Sequence, residues 1–141
     1  MHEHVSRIVR IMQQNNIKKD MRHIEDRIQE ACVSWFDLQF PKLSRLLHHS
    51  PNGGKRNARE GARFKAMGTR AGFPDLILLY PAAGYHALLV EMKTKQRGSK
   101  QTESQKDYQR QAEAYGYKYT VCRSFDEFRT TVITYLTKET Q

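Results

Sequence analysis

The apolar positions change period several times along the chain, and each change marks an element. From about Asp20 to Phe40 the residues Met21, Ile24, Ile28, Cys32 and Trp35 recur at three- and four-residue steps, the spacing of one face of an amphipathic helix. Pro41 predicts where it stops, because a proline ring disfavours helical backbone in the residue before it. Ahead of this helix, Val5, Ile8, Val9, Ile11 and Met12 alternate with polar residues until Asn15-Asn16 interrupts them, so residues 1–20 are expected to form a short helix or arm. Leu43 to His49 reads as a first strand, Ser50 to Gly54 as a turn-rich loop and Lys55 to Met67 as a basic helix. Leu76 to Tyr80 and Ala87 to Val90 are unbroken apolar runs of strand length, set off by Pro74, Pro81, Gly84 and charge. They predict buried neighbouring strands. A helix from about Thr102 to Tyr115, with Tyr108, Ala112 and Tyr115 inward, is followed by a strand from Tyr117 to Cys122. Ser124-x-x-Glu127 then has the form of a capping box, opening a last helix to about Leu136. With 141 residues, the chain suits one α/β domain over residues 21–141 behind the arm of residues 1–20.

The candidate chemistry lies where the two apolar runs meet charge. Asp75 precedes the first run and Glu91-Met92-Lys93 closes the second, with fifteen residues between the two acids. If the strands pair as an antiparallel hairpin, the start of one lies beside the end of the other, and Asp75 meets Glu91 at one edge of the sheet. Glu91 and Lys93 share a face by the period of two. Two carboxylates beside an ammonium make a hard-oxygen site suited to Mg²⁺ or Mn²⁺, with a cation placed for a phosphate or a water. An ion-pair cluster that merely terminates two strands is the alternative. Glu25 lies on or beside the apolar stripe of the first long helix. It either meets a metal, a metal-bound water or a basic partner there, or flanks the stripe and reaches solvent. Gln105 follows Thr102 at capping-box spacing, which by itself gives it only a helix-capping role.

These residues resemble the PD-(D/E)xK nucleases, and within that superfamily the VRR-NUC family, as a small stand-alone member. The resemblance rests on Pro74-Asp75 with Glu91-Met92-Lys93, the Gly68-x-x-x-Gly72-Phe-Pro lead-in, Gln105, the Gly116 break and Ser124-Phe-Asp-Glu. It extends over roughly residues 22–137. It implies an αβββαβ core with a central mixed sheet flanked by helices, and a metal-dependent DNA endonuclease acting on flap or branched DNA. It also implies that Asp75, Glu91 and the Met92 carbonyl hold the metal, that Glu25 completes the metal site, and that Lys93 acts on the attacking water. By the same resemblance Gln105 lies at the active site and the products carry 5′-phosphate and 3′-hydroxyl ends.

Charge narrows the choice of partner. The net charge is +9, and between Lys42 and Arg70 eight basic residues face the single acid Glu60. Such a stretch suits DNA or serves only as a solvated face. Lys55, Arg56, Arg59, Arg63, Lys65, Arg70 and Lys95 are the candidate DNA contacts. Cys32 and Cys122, far apart within apolar patterns, read as reduced core thiols. His48-His49 reads as a strand-end pair beside the basic stretch. No apolar run has membrane-spanning length and no leader is evident, so a cytoplasmic protein with no membrane partner is expected. One site cuts one strand, so cutting both strands of a duplex or a symmetric junction predicts a homodimer. The rival readings are a non-cutting DNA-binding or scaffolding module and a sequence-specific restriction-type endonuclease, although the chain has little room for base-reading insertions.

Overall fold

The computed structural model describes residues 2–51, 57–96 and 98–138. Four short strands, β1 (Leu47–His49), β2 (Leu76–Leu78), β3 (Leu88–Met92) and β4 (Lys118–Cys122), lie side by side in that order. The first two pairings are antiparallel and the third is parallel, which makes the sheet mixed. A tight turn cannot join parallel strands. The helix α3 (Glu103–Ala114) therefore crosses over between β3 and β4.

Side-chain alternation sorts the interior into two layers. Leu76, Leu78, Leu88, Val90, Met92 and Cys122 point to one face, where Cys32 and Phe36 of α1 (His2–Gln39) and Phe128, Val132 and Tyr135 of α4 (Phe125–Thr137) cover them. On the other face Leu89 and Tyr119 meet Ala112 of α3, with Ile77, Tyr108, Tyr117 and Val121 packed around them. Every residue of β3 is buried. Helices on both faces account for a run without polar alternation at 87–90. By the same parity Glu91 points to the α3 face.

The expected element order holds, and the differences are local. α1 is a single helix that starts at His2 rather than near Asp20 and passes through Asn15-Asn16 without a break. Asparagine costs a helix only a few tenths of a kcal/mol relative to good formers, too little to end one. Residues 5–20 are all exposed, so Val5, Ile8, Val9, Ile11 and Met12 belong to no core. The predicted first strand is shorter, because Ser44–Leu46 winds into a 3₁₀ turn. The basic helix α2 spans Ala58–Ala66, capped by Asn57, whose side chain accepts from Glu60 N. Tyr115 is the C-cap of α3 and is 70% exposed, not inward. The helix ends one residue earlier, and with it the inward stripe. Cys32 and Cys122 are free, buried thiols, and burial pushes them up to about 12 and about 11. Among the described residues no helix is long and apolar enough to cross a membrane.

Candidate active site

The antiparallel register Leu76↔Val90, continued by one step, sets Asp75 against Glu91. Asp75 Oδ2 accepts a 2.7 Å hydrogen bond from Met92 N, so the carboxylate takes the place of a further rung of the β2–β3 ladder. Glu91 lies beside it, only 3% exposed. Its Oε1 accepts from Gln105 Nε2 at 2.7 Å, and Lys93 Nζ stands 3.8 Å from the same oxygen. Gln105 both caps α3 and bonds to Glu91. Thr102 N donates to its Oε1 at 2.8 Å, and the Thr102 hydroxyl accepts from Gln105 N. Capping thereby fixes the amide with its NH₂ group turned toward Glu91.

Burial, and then the charge of Asp75, raise the pKa of Glu91 from the ordinary carboxylate range to about 9, while Lys93 opposes the shift. Among the described residues two buried side-chain polar atoms lack a hydrogen-bond partner, Glu91 Oε2 and the Tyr119 hydroxyl. An orphaned carboxylate oxygen beside a second carboxylate is costly in a folded interior. A cation there would offset both charges, so the donor set fits a divalent ion.

Glu25 does not simply reach solvent. It is half-buried on α1 and accepts from Ser99 Oγ at 3.1 Å. Ser99 Oγ in turn accepts from Thr94 N, and Arg123 Nη1 donates to the carbonyls of both Thr94 and Ser99. The loop that follows Lys93 is thus pinned from two sides. Burial raises the pKa of Glu25, the Ser99 hydrogen bond and Lys93 oppose this, and Asp75 adds to the rise. Glu25 therefore senses the cluster. Among the described residues no three His, Cys, Asp or Glu side chains are grouped closely enough to hold a metal by themselves. The hairpin brings Asp75 and Glu91 together, and Glu25 stands apart on α1, joined to the loop after Lys93 through Ser99.

The lead-in to Asp75 is shaped by one close approach. Gly72 has φ +81°, and a Cβ there would sit 2.1 Å from Ser104 O. The first turn of α3 packs directly on this loop, next to Gln105. Gly72→Ala should therefore push α3 away from Glu91, costing about 2 kcal/mol or more from left-handed strain and overpacking together. Chemical denaturation measures the stability loss, and a variant as stable as wild type would mean that α3 does not pack on this loop. On the other side of Asp75 its carbonyl accepts from Ser50 N and bonds His49 Nδ1 at 2.7 Å. His49, expected only as a strand-end residue, thus helps hold the Asp75 backbone.

Of the basic candidates, Arg59, Arg63, Lys65, Arg70 and Lys95 are exposed. Lys55 and Arg56 lie outside the described residues. Arg70 lines a cavity with Ser104 and Tyr108 of α3, which puts its charge beside the helix that carries Gln105. Tyr119, Ser99 and Arg123 were not legible as site residues. Tyr119 looks like any strand aromatic until the register Leu89↔Tyr119 is known.

The VRR-NUC domain family model matches residues 12–126. A solved structure described as a VRR-NUC domain protein superposes with a TM-score of 0.71 at 31% sequence identity, over 82% of this chain and 90% of that one. No curated protein matches at a significant level. The sheet order, the Asp75–Glu91 apposition and the extent of both matches lead to one conclusion: the chain belongs to the VRR-NUC family and carries its nuclease-type domain.

Proposed function

We infer that this nuclease is a divalent-metal-dependent DNA endonuclease of the PD-(D/E)xK type, selective for flap or branched DNA. The observation that carries this reading is the buried Glu91, bonded to Gln105 through one oxygen, orphaned at the other, and set against Asp75. A stability-optimised fold gains nothing from such a pair. Asp75, Glu91 and the Met92 carbonyl would hold Mg²⁺ or Mn²⁺. When bound, the ion supplies Lewis-acid polarisation of the scissile phosphate and of the attacking water.

The remaining roles belong to the chain. Gln105 holds Glu91 Oε1 and leaves Oε2 available. Lys93, with its side chain 13% exposed, offers an ammonium to the phosphate and aligns the attacking water, offsetting charge as the phosphorus becomes more crowded with oxygen. Glu25, held by Ser99, faces Lys93 and Asp75 from α1 and adds negative charge on the metal side.

Arg59, Arg63, Lys65, Arg70 and Lys95 supply the field that draws a polyanion toward two carboxylates that would otherwise repel it. Reversing Arg59 and Arg63 together to Glu should flatten the slope of log affinity against log salt by roughly 2, since each lost phosphate contact removes about 0.9. Fluorescence anisotropy over a salt series measures it. An unchanged slope would take α2 off the DNA path.

A homodimer supplies the two cuts that a symmetric junction requires. The exposed side chains Val5, Ile8, Val9 and Met12 of α1 offer an apolar stripe for the contact. Sedimentation at micromolar concentration should give about twice the 16.5 kDa of one chain. Monomer mass with and without junction DNA would rule the dimer out. Substrate choice is tested by rates on single-stranded, duplex, flap and four-way-junction DNA in Mg²⁺. Branched substrates should be cut fastest, and a preference for one duplex sequence would favour the restriction-type alternative.

A further inference from the structure

A cavity of about 670 Å³ opens on the α3 face of the sheet, directly beside the acidic cluster. Its floor is Ile77 and Leu89, which pair with each other in the β2–β3 ladder. Each is two residues from a carboxylate on the same face, Ile77 from Asp75 and Leu89 from Glu91. Two residues along a strand span about 6.6 Å. Its walls are largely aromatic: Phe73 and Tyr108 meet edge to face at 5.4 Å, His86 and Tyr117 at 5.5 Å, and Tyr115 stands exposed at the mouth. The inward stripe of α3 thus begins at Gln105 on Glu91, passes Tyr108 and ends at this cavity. A second cavity, lined by Arg70, shares Tyr108 and Gln111 with the first. Arg70 therefore lines the cavity that adjoins the aromatic one along α3.

We propose that this cavity receives an unpaired base of the strand being cut, next to the scissile phosphate. The inference rests on the nuclease reading above and deepens it. An apolar, aromatic-walled recess with a cationic neighbour matches the two halves of a nucleotide, a flat ring that stacks and a phosphate that needs a positive charge. A fully paired duplex cannot present a base there without unstacking it. A flap or a junction arm already has one free, so the cavity selects for structure without reading sequence.

The test uses full-length wild type and Tyr115→Ala, a substitution at the rim that touches neither Asp75, Glu91 nor Lys93. Flap DNA carrying 2-aminopurine at successive positions around the cut is bound in Ca²⁺, and fluorescence is followed. Parallel flaps carrying single abasic sites are cut in Mg²⁺. The proposal expects one position whose fluorescence changes on binding to wild type and not to the variant. Removing the base at that position should slow wild-type cleavage about tenfold, the scale of one base–aromatic stack, and slow the variant far less. If cutting proceeds with no position sensitive to Tyr115, the cavity is not a base site although the nuclease reading survives. A Tyr115-dependent signal without cutting would leave the base site standing and remove the nuclease. If DNA does not bind, or if sedimentation shows Tyr115→Ala dissolving a dimer, the proposal falls.

Discussion

Lys93→Ala should lower single-turnover cleavage by about 10²–10⁴-fold while leaving metal and DNA affinity close to wild type. The ammonium stands 3.8 Å from Glu91 Oε1 and is mostly shielded from solvent. In the proposed mechanism it would act at the phosphate and water and not as a metal ligand. Rapid-quench kinetics with labelled flap DNA separates the two effects. A variant within about threefold of wild type, less than roughly 0.7 kcal/mol of barrier, would reduce Lys93 to a structural counter-charge. Arg at this position should rescue poorly, because a planar guanidinium neither fits the same space nor presents a point charge.

The second large effect separates stability from activity. Glu91→Gln should abolish cleavage and weaken Mn²⁺ binding at least tenfold, yet leave the metal-free protein more stable by about 1–2 kcal/mol. Glu91 is buried against Asp75 with one orphaned oxygen, and burial together with that neighbouring charge lifts its pKa to about 9. At neutral pH the folded metal-free protein must therefore hold Glu91 protonated, a cost to folding that a neutral amide does not carry, and the amide still accepts from Gln105. Asp75→Asn should share the loss of metal and activity, with a smaller stability gain because Asp75 is only half-buried. Calorimetric Mn²⁺ titration and thermal melts in EDTA read the two halves separately. Unchanged metal affinity, or a Glu91→Gln variant that unfolds several degrees earlier, would mean that the cluster exists for the fold.

The hairpin was legible because two apolar runs of strand length, bounded by proline, glycine and charge, leave little freedom, so opposing Asp75 to Glu91 needed only the antiparallel assumption. The crossover helix and its cap were equally readable from Thr102-x-x-Gln105. What the sequence concealed were contacts set by register and by distance along the chain. The hydrogen bond between Glu25 and Ser99 joins residues 74 apart, and the grip of Arg123 on the Thr94–Ser99 loop exists only because β4 lies parallel to β3. Asn15-Asn16 does not break α1, and the apolar residues before it lie on an exposed face of that helix. The aromatic recess was half-visible. Tyr108 and Ala112 face inward as their helical spacing predicts, but the turn of Tyr115 to the rim depends on where α3 ends.

The central claim is that the Asp75–Glu91–Lys93–Gln105 cluster is a metal-dependent phosphodiesterase site. Its most direct test is cleavage of end-labelled flap DNA by purified wild type in Mg²⁺ and in EDTA, with Glu91→Gln run alongside. The account predicts cutting in Mg²⁺ that leaves 5′-phosphate and 3′-hydroxyl ends, none in EDTA and none with the variant. Cutting that persists in EDTA or in Glu91→Gln, or no cutting of any flap or junction in Mg²⁺ or Mn²⁺, would contradict it.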